Sequence, residues 1–207
     1  MTTRSSTFSM SQFTTTTIVL MAVAIAINIA VGYVVQNVLK LPIYLDSIGT
    51  VLVGILAGPL AGAATGALAN IIWGLTIGPS TITPFAITAL FIGFLAGWFG
   101  SRGWFAASGG GISWVRAAIA GVITGVVAAI VSAPIAYFVF GGTTGGGTDA
   151  VVAIFRNMTD NIFLATQLQG LASDPVDKLA TFLVAMAILI AVPVTVKTTF
   201  PQGEKTV

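Results

Sequence analysis

The chain has 207 residues, 56% of them hydrophobic and 7% charged, with eight Lys and Arg against six Asp and Glu. A soluble domain averages about 25% charged residues, and a mean hydropathy of +1.02 is more apolar surface than a water-soluble core needs. Cys and His are both absent, which excludes disulfides, thiolate nucleophiles, imidazole bases and most transition-metal sites. No metal and no cofactor is expected.

No Lys, Arg, Asp or Glu occurs between Asp46 and Arg102, a gap of 55 residues. As helix this gap measures roughly 80 Å, against about 30 Å for a bilayer core, so it crosses more than once. Shorter charge-free stretches run over 5–39, 117–148 and 179–196. The apolar residues come in long runs rather than in alternation, which disfavours a β-barrel. The expected fold is a single all-α integral membrane domain over 1–207, a bundle of six transmembrane helices.

In chain order, Met1 to Thr17 is Ser/Thr-rich with Arg4 as its only charge. The apolar run Ile18 to Val35 is longer than a secretory h-region and is read as a retained first span. The remaining breakers place spans at 17–37, 46–58, 59–77, 82–101, 114–140 and 177–197, with an outer loop and helix over 141–176. Gly58-Pro59 divides the second span from the third, Gly78-Pro79 with Thr83-Pro84 the third from the fourth, and Ser108 to Gly111 precedes the fifth. Gly49 to Gly58 alone is too short to cross. The second span must extend back through Tyr44-Leu45-Asp46, tilt, or be shielded by its neighbours.

With six spans the termini share a side with Arg4, Arg102, Arg116, Lys197 and Lys205 against Glu204 alone, and the positive-inside rule makes that side cytoplasmic. The opposite side holds Asp46, Asp149, Asp160, Asp174 and Asp177 with Lys40, Arg156 and Lys178.

Small residues recur at helical spacing: Gly54, Gly58, Gly62 and Gly66, then Gly93/Gly97 and Gly121/Gly125, and Ala22, Ala26 and Ala30 on the first span. Such faces let helices approach closely in lipid. Packing within the chain is the plain reading for the glycines. For the alanine ladder, packing and docking onto a partner are both open.

The outer segment opens with the glycine-rich run Gly141 to Thr148 and continues with a helical pattern in which Val151, Ile154, Phe155, Met158, Ile162 and Phe163 share a face. Arg156, Asn157, Asp160, Asn161 and Gln167 fall on or beside the other face. An interfacial helix and a ligand-covering lid both fit.

Inside the spans, Asn70 lies near the outer end of the third, close to Trp73, and an amide there needs a helix or a ligand as partner. Asp46 and the run Asp174-Pro175-Val176-Asp177-Lys178 lie at the same outer level, with Asp177 and Lys178 opening the last span as a plain cap or as a contact for a polar solute. The candidate solute-binding residues are Asp46, Asn70, Trp73, Thr83, Asn157, Asp160, Asn161, Asp177 and Lys178. An enzyme is not expected: phosphate-loop and zinc-protease motifs are missing, no Ser-His or Cys-His pair is available, and no acid is placed mid-span.

These residues resemble the substrate-binding S components of energy-coupling factor (ECF) vitamin transporters. The resemblance rests on the length, the six spans, the ladder Ala22-x-x-x-Ala26-x-x-x-Ala30, the stretch Leu45 to Thr50 running into Gly58-Pro59-Leu60-Ala61-Gly62-Ala63, and Asp174 to Lys178 at the start of the last span. It implies residence in a prokaryotic plasma membrane and uptake of a water-soluble vitamin or related micronutrient. It also implies docking of the Ala22/Ala26/Ala30 face on an ECF transmembrane coupling subunit, with energy from two ATP-binding cassette ATPases. No nucleic acid is implied. In that mechanism the loaded subunit topples within the bilayer, and the riboflavin-like layout points first to a flavin, with Tyr44, Trp73, Phe85 and Phe155 as aromatic partners. The 141–170 region departs from the family's vitamin-specific patterns. A stand-alone secondary transporter would usually show internal repeats and a mid-membrane ionisable relay, neither of which is read here. A sensor or scaffold subunit would keep the docking faces without a pocket.

Overall fold

In the computed structural model, residues 9–107 and 109–206 are described; Arg4, most of the Ser/Thr-rich N-terminus and Ser108 lie outside them. Among the described residues the fold is helical, with one isolated antiparallel bridge between Ala106 and Ile112. The helices are α1 (Thr15–Tyr33, continued by a π turn over Val34–Val38), α2 (Ile48–Ala57), α3 (Pro59–Thr76), α4 (Ala86–Ser101, entered through a 3-10 turn over Ser80–Phe85), α5 (Trp114–Phe140), α6 (Asp149–Thr159), α7 (Ile162–Ala191) and the single turn α8 (Val194–Lys197). Three stretches are long and apolar enough to cross a membrane: Thr15–Val38, Ser80–Ser101 and Trp114–Phe140.

Local chemistry explains most helix ends. Thr14 caps α1 by accepting the Thr17 N–H at 3.1 Å, and Ser113 caps α5 by accepting that of Arg116. Gly58 separates α2 from α3 at φ +128°, a conformation L side chains rarely adopt, and Pro59 opens α3 where its missing N–H costs nothing. A side chain at Gly58 would also run into Gln12.

One end of the bundle is tied by the chain's two ends. Gln12 accepts the N–H groups of Leu60 and Ala61, Gln202 donates its backbone N–H to Leu56, and the Lys205 ammonium donates to the Ser101 carbonyl. The loop to α5 lies at this end, where Arg116 donates to the Ala106 carbonyl. The opposite end gathers the loop after α1, the Ser80–Phe85 turn and the glycine-rich loop, through contacts such as Thr81 to the Thr144 carbonyl.

The glycines pack within the chain. A Cβ built at Gly62 would sit 2.5 Å from the Gly93 carbonyl, and those at Gly93 and Gly97 would collide with the backbones of Gly62 and Pro59. Backbones of α2, α3 and α4 therefore touch, and Gly121 and Gly125 do the same for α5 against α7. All ten residues of α2 are buried. At ten residues α2 is about 15 Å long, so it neither extends back to Asp46 nor crosses a bilayer unaided. Its neighbours shield it on every side.

Two expectations are corrected. The helical pattern of 151–163 is broken at Asp160 and Asn161: Asp160 takes a left-handed φ of +51° that ends α6, and Asn161 accepts the Leu164 N–H at 3.0 Å to start α7. Ile162 and Phe163 thus belong to the next helix. The last long helix does not open at 177. It begins at Ile162, runs 30 residues straight through Pro175 and ends at Ala191, after which Pro193 starts the separate turn α8. Pro175 reads locally as a helix start. Here close packing on Gly125 of α5 holds the helix through the lost hydrogen bond.

Candidate functional site

The π turn at the end of α1 is the first element of the site. One extra residue in that turn brings Gln36 and Asn37 to the cavity wall. The chain then folds back between α1 and α7, with Lys40 and Leu45 both at positive φ, +50° and +51°. Non-glycine residues hold that conformation only where the surroundings fix it. Here Asp177 does so, accepting the backbone N–H groups of Tyr44 at 2.9 Å and Leu45 at 2.8 Å.

Because α7 starts fifteen residues earlier than expected, Asp174, Asp177 and Lys178 lie near its midpoint, 3%, 1% and 2% exposed. The view of Asp177 and Lys178 as a cap opening the last helix is overturned, because α7 begins at Ile162. Lys178 donates to Ser47 at 2.8 Å and to the adjacent Asp177, and lies 3.6 Å from Asp46. Two of these contacts are hydrogen bonds and the third, to Asp46, is a longer ion pair. Asp46 also accepts from Gln36 at 3.2 Å, and the Lys178 ammonium stands 5.8 Å over the Tyr44 ring.

Around this cluster lies a cavity of about 110 Å³, measured at the centres of water-sized spheres. A single water needs about 10–15 Å³ on that scale, so there is room for a small solute. Its lining includes the buried Asp174, Lys178, Ile92 and Ala128, the side chains of Gln36, Tyr44, Asp46, Asn70, Phe85, Thr88, Ser132 and Gln169, and the more exposed glycine-rich loop with Asp149. Asp149 accepts the N–H groups of Thr144 and Gly145, folding that loop over the start of α6. Burial pushes the ionisation of the Tyr44 phenol, in the loop between α1 and α2, far above its usual range, so it stays a neutral hydroxyl, and Gln169 donates to it at 3.3 Å.

The sequence-predicted residues divide. Asp46, Asn70 and Lys178 line the cavity. Asp177 stands behind it, holding Lys178 and the Tyr44–Leu45 backbone. Trp73 is 1% exposed and not part of the wall; its ring fills the space left by the absent side chain of Gly32. Thr83 packs on Gly74 beside the wall rather than in it. Asn157, Asp160 and Asn161 are exposed on α6 and its end, away from the cavity, and Phe155 is also outside it, whereas Tyr44 and Phe85 line it.

Sequence reasoning missed Gln36, Asn37, Thr88, Ser132 and Gln169. The one available signal was polarity within apolar runs: Ser132 sits seven residues after Gly125, on the face of α5 that meets α7, and donates to Asp174 at 3.3 Å. Comparison with protein-family models, with curated proteins and with solved structures finds no match for this chain.

Proposed function

We propose that this chain is a membrane-embedded solute-binding subunit, acting as the S component of an ECF-type transporter for a small water-soluble vitamin or related micronutrient. The observation that carries the reading is the cavity with Asn70 in its wall. Asn70 is 7% exposed, and its amide has no hydrogen bond among the described residues. Lining the cavity, that amide has both a donor and an acceptor to offer a solute there.

The bilayer setting is supported by the outward faces. Ile18, Val19 and Val23 of α1 and Val115, Ile119 and Ile130 of α5 are exposed, while Asn28, Asp174 and Lys178 are buried, the distribution suited to lipid as solvent. In this reading α1, α2, α3, α4, α5 and α7 are the six spans, the end carrying Arg102, Arg116 and Lys205 is cytoplasmic, and the cavity opens outward. Ala22, Ala26 and Ala30 are exposed along α1, which leaves that face available to a coupling subunit driven by two ATPases.

The buried Asp174, Asp177 and Lys178, with the half-buried Asp46 beside them, favour a second reading, an ion-coupled transporter that works alone. Native mass spectrometry of the detergent-purified chain, followed by titration of vitamins by tryptophan fluorescence, tests the first. A co-purified vitamin at one per chain supports it; no solute and no response to any vitamin sinks it. Uptake by liposomes holding this chain alone, driven by a proton or sodium gradient, would establish the second.

A further inference from the structure

Resting on the solute-binding reading, we infer that the cavity takes an organic cation, its positive group seated on Asp174. Among charged groups lining the cavity, Asp46, Asp149 and Asp174 face Lys178 alone, with Asp177 behind them. The Lys178 ammonium donates to Ser47 and Asp177 and faces the Asp46 carboxylate at 3.6 Å, so its charge is already matched by two acids of the protein. Asp149 is neutralised in part by the N–H groups of Thr144 and Gly145 at the start of α6.

Asp174 differs from these. It is 3% exposed and lines the cavity, and its one hydrogen bond is from the Ser132 hydroxyl at 3.3 Å. No ion pair reaches it among the described residues. The remaining elements of the wall bring it no cation: α3 contributes Asn70, α4 contributes Thr88 and Ile92, and α5 contributes Ser132. Lys40 and Arg156 are exposed elsewhere. Lys178, one turn along α7, acts on Asp174 through space without pairing with it, and a carboxylate buried in this way gains from a positive charge in direct contact.

Two further groups point to a solute there. Asn70 has no hydrogen bond among the described residues, and the Thr88 hydroxyl, on a residue 7% exposed, has no partner either. Both line the cavity. Among the described residues no group of three or more His, Cys, Asp or Glu is arranged to hold a metal ion, which favours an organic cation over a multivalent metal. Tyr44 and Phe85 in the wall suit an aromatic cation.

Three probes of matched size test the charge: benzylammonium, benzyl alcohol and benzoate, titrated at up to millimolar concentration into the purified full chain by calorimetry. Benzylammonium is expected to bind about tenfold or more tighter than benzyl alcohol, with benzoate weakest, as for a close charge pair. Asp174→Asn is expected to erase that preference, and Asp174→Glu to keep it. The Glu variant and the wild-type ranking decide the matter if Asp174→Asn does not fold. Equal or tighter binding of the alcohol or benzoate overturns the cation assignment and leaves the solute-binding reading standing. Binding of none of the three overturns this inference, and the vitamin titration above then decides separately whether the cavity binds solute at all.

Discussion

The side chain of Asp177 holds the backbone N–H of Tyr44 at 2.9 Å, although 133 positions separate the two residues in the chain. The same carboxylate accepts from Leu45 and pairs with Lys178, so a single buried acid fixes both the returning loop and the ammonium beside the cavity. Asp177→Ala strands a buried cation and two N–H groups together. A loss of about 3–5 kcal/mol is expected, read as a lower unfolding midpoint of the purified chain in detergent. An unchanged midpoint would show that Asp177 does not organise this loop.

The contact of Gly93 with Gly62 leaves no room for a methyl group, because the colliding atoms are backbone. Gly93→Ala is expected to lower stability by about 1–3 kcal/mol or more. Gly109→Ala, where nothing lies within 4 Å, should stay within about 0.5 kcal/mol of wild type. Equal effects at the two positions would contradict the close packing of α3 on α4.

Asn28 donates to the Thr50 hydroxyl and accepts the Gly49 N–H, both at 2.8 Å, in the contact between α1 and α2. Since α2 has no side-chain cap of its own, Asn28 supplies one from the neighbouring helix. Asn28→Leu is expected to cost about 1–3 kcal/mol, and hydrogen exchange at Gly49 should quicken. Retained protection at Gly49 would assign that N–H another partner.

Asn70→Ala removes an amide that bonds to nothing in the protein, so the unfolding midpoint should hold while solute affinity falls by about 1–3 kcal/mol. Lys178→Ala should do the reverse of what its place in the wall suggests. It strands Asp177 and Asp46, so stability falls first and affinity with it. Solute binding unaffected by Asn70→Ala would move the contact surface to another part of the wall.

Ala26 is exposed on α1, so Ala26→Leu should leave folding and solute binding as they are. If this face docks on a coupling subunit, transport by the reassembled complex should be lost, because added bulk separates closely packed helices. Full transport by the variant would remove this face from the interface.

Helix positions were legible wherever a local rule decides them. The apolar runs, Gly58-Pro59 and the glycine run ahead of the fifth span placed α1, α3, α4 and α5 close to their observed bounds, since desolvation of apolar side chains, prolyl geometry and glycine breakers act within a few residues. The cavity end was less legible. Asn70 was singled out because an amide in an apolar run needs a partner, and Asp46 and Lys178 because they fall at the same outer level. Asn157, Asp160 and Asn161, read as the polar side of an outer helix, prove to be solvent-facing groups or helix caps.

By itself, the sequence determined an all-helical chain with stretches apolar and long enough to cross a bilayer, because hydrophobicity, charge gaps and helix breakers are local properties. Only the tertiary structure decided that α7 continues through Pro175, that Asp174, Asp177 and Lys178 lie at its middle, and that the loop through Tyr44 folds back to meet them. A proline can start a helix or sit inside one, and a charge can cap an end or be buried. In this chain the contacts of Gly125 with Pro175 and of Tyr44 with Asp177, each between residues far apart in sequence, made the choice.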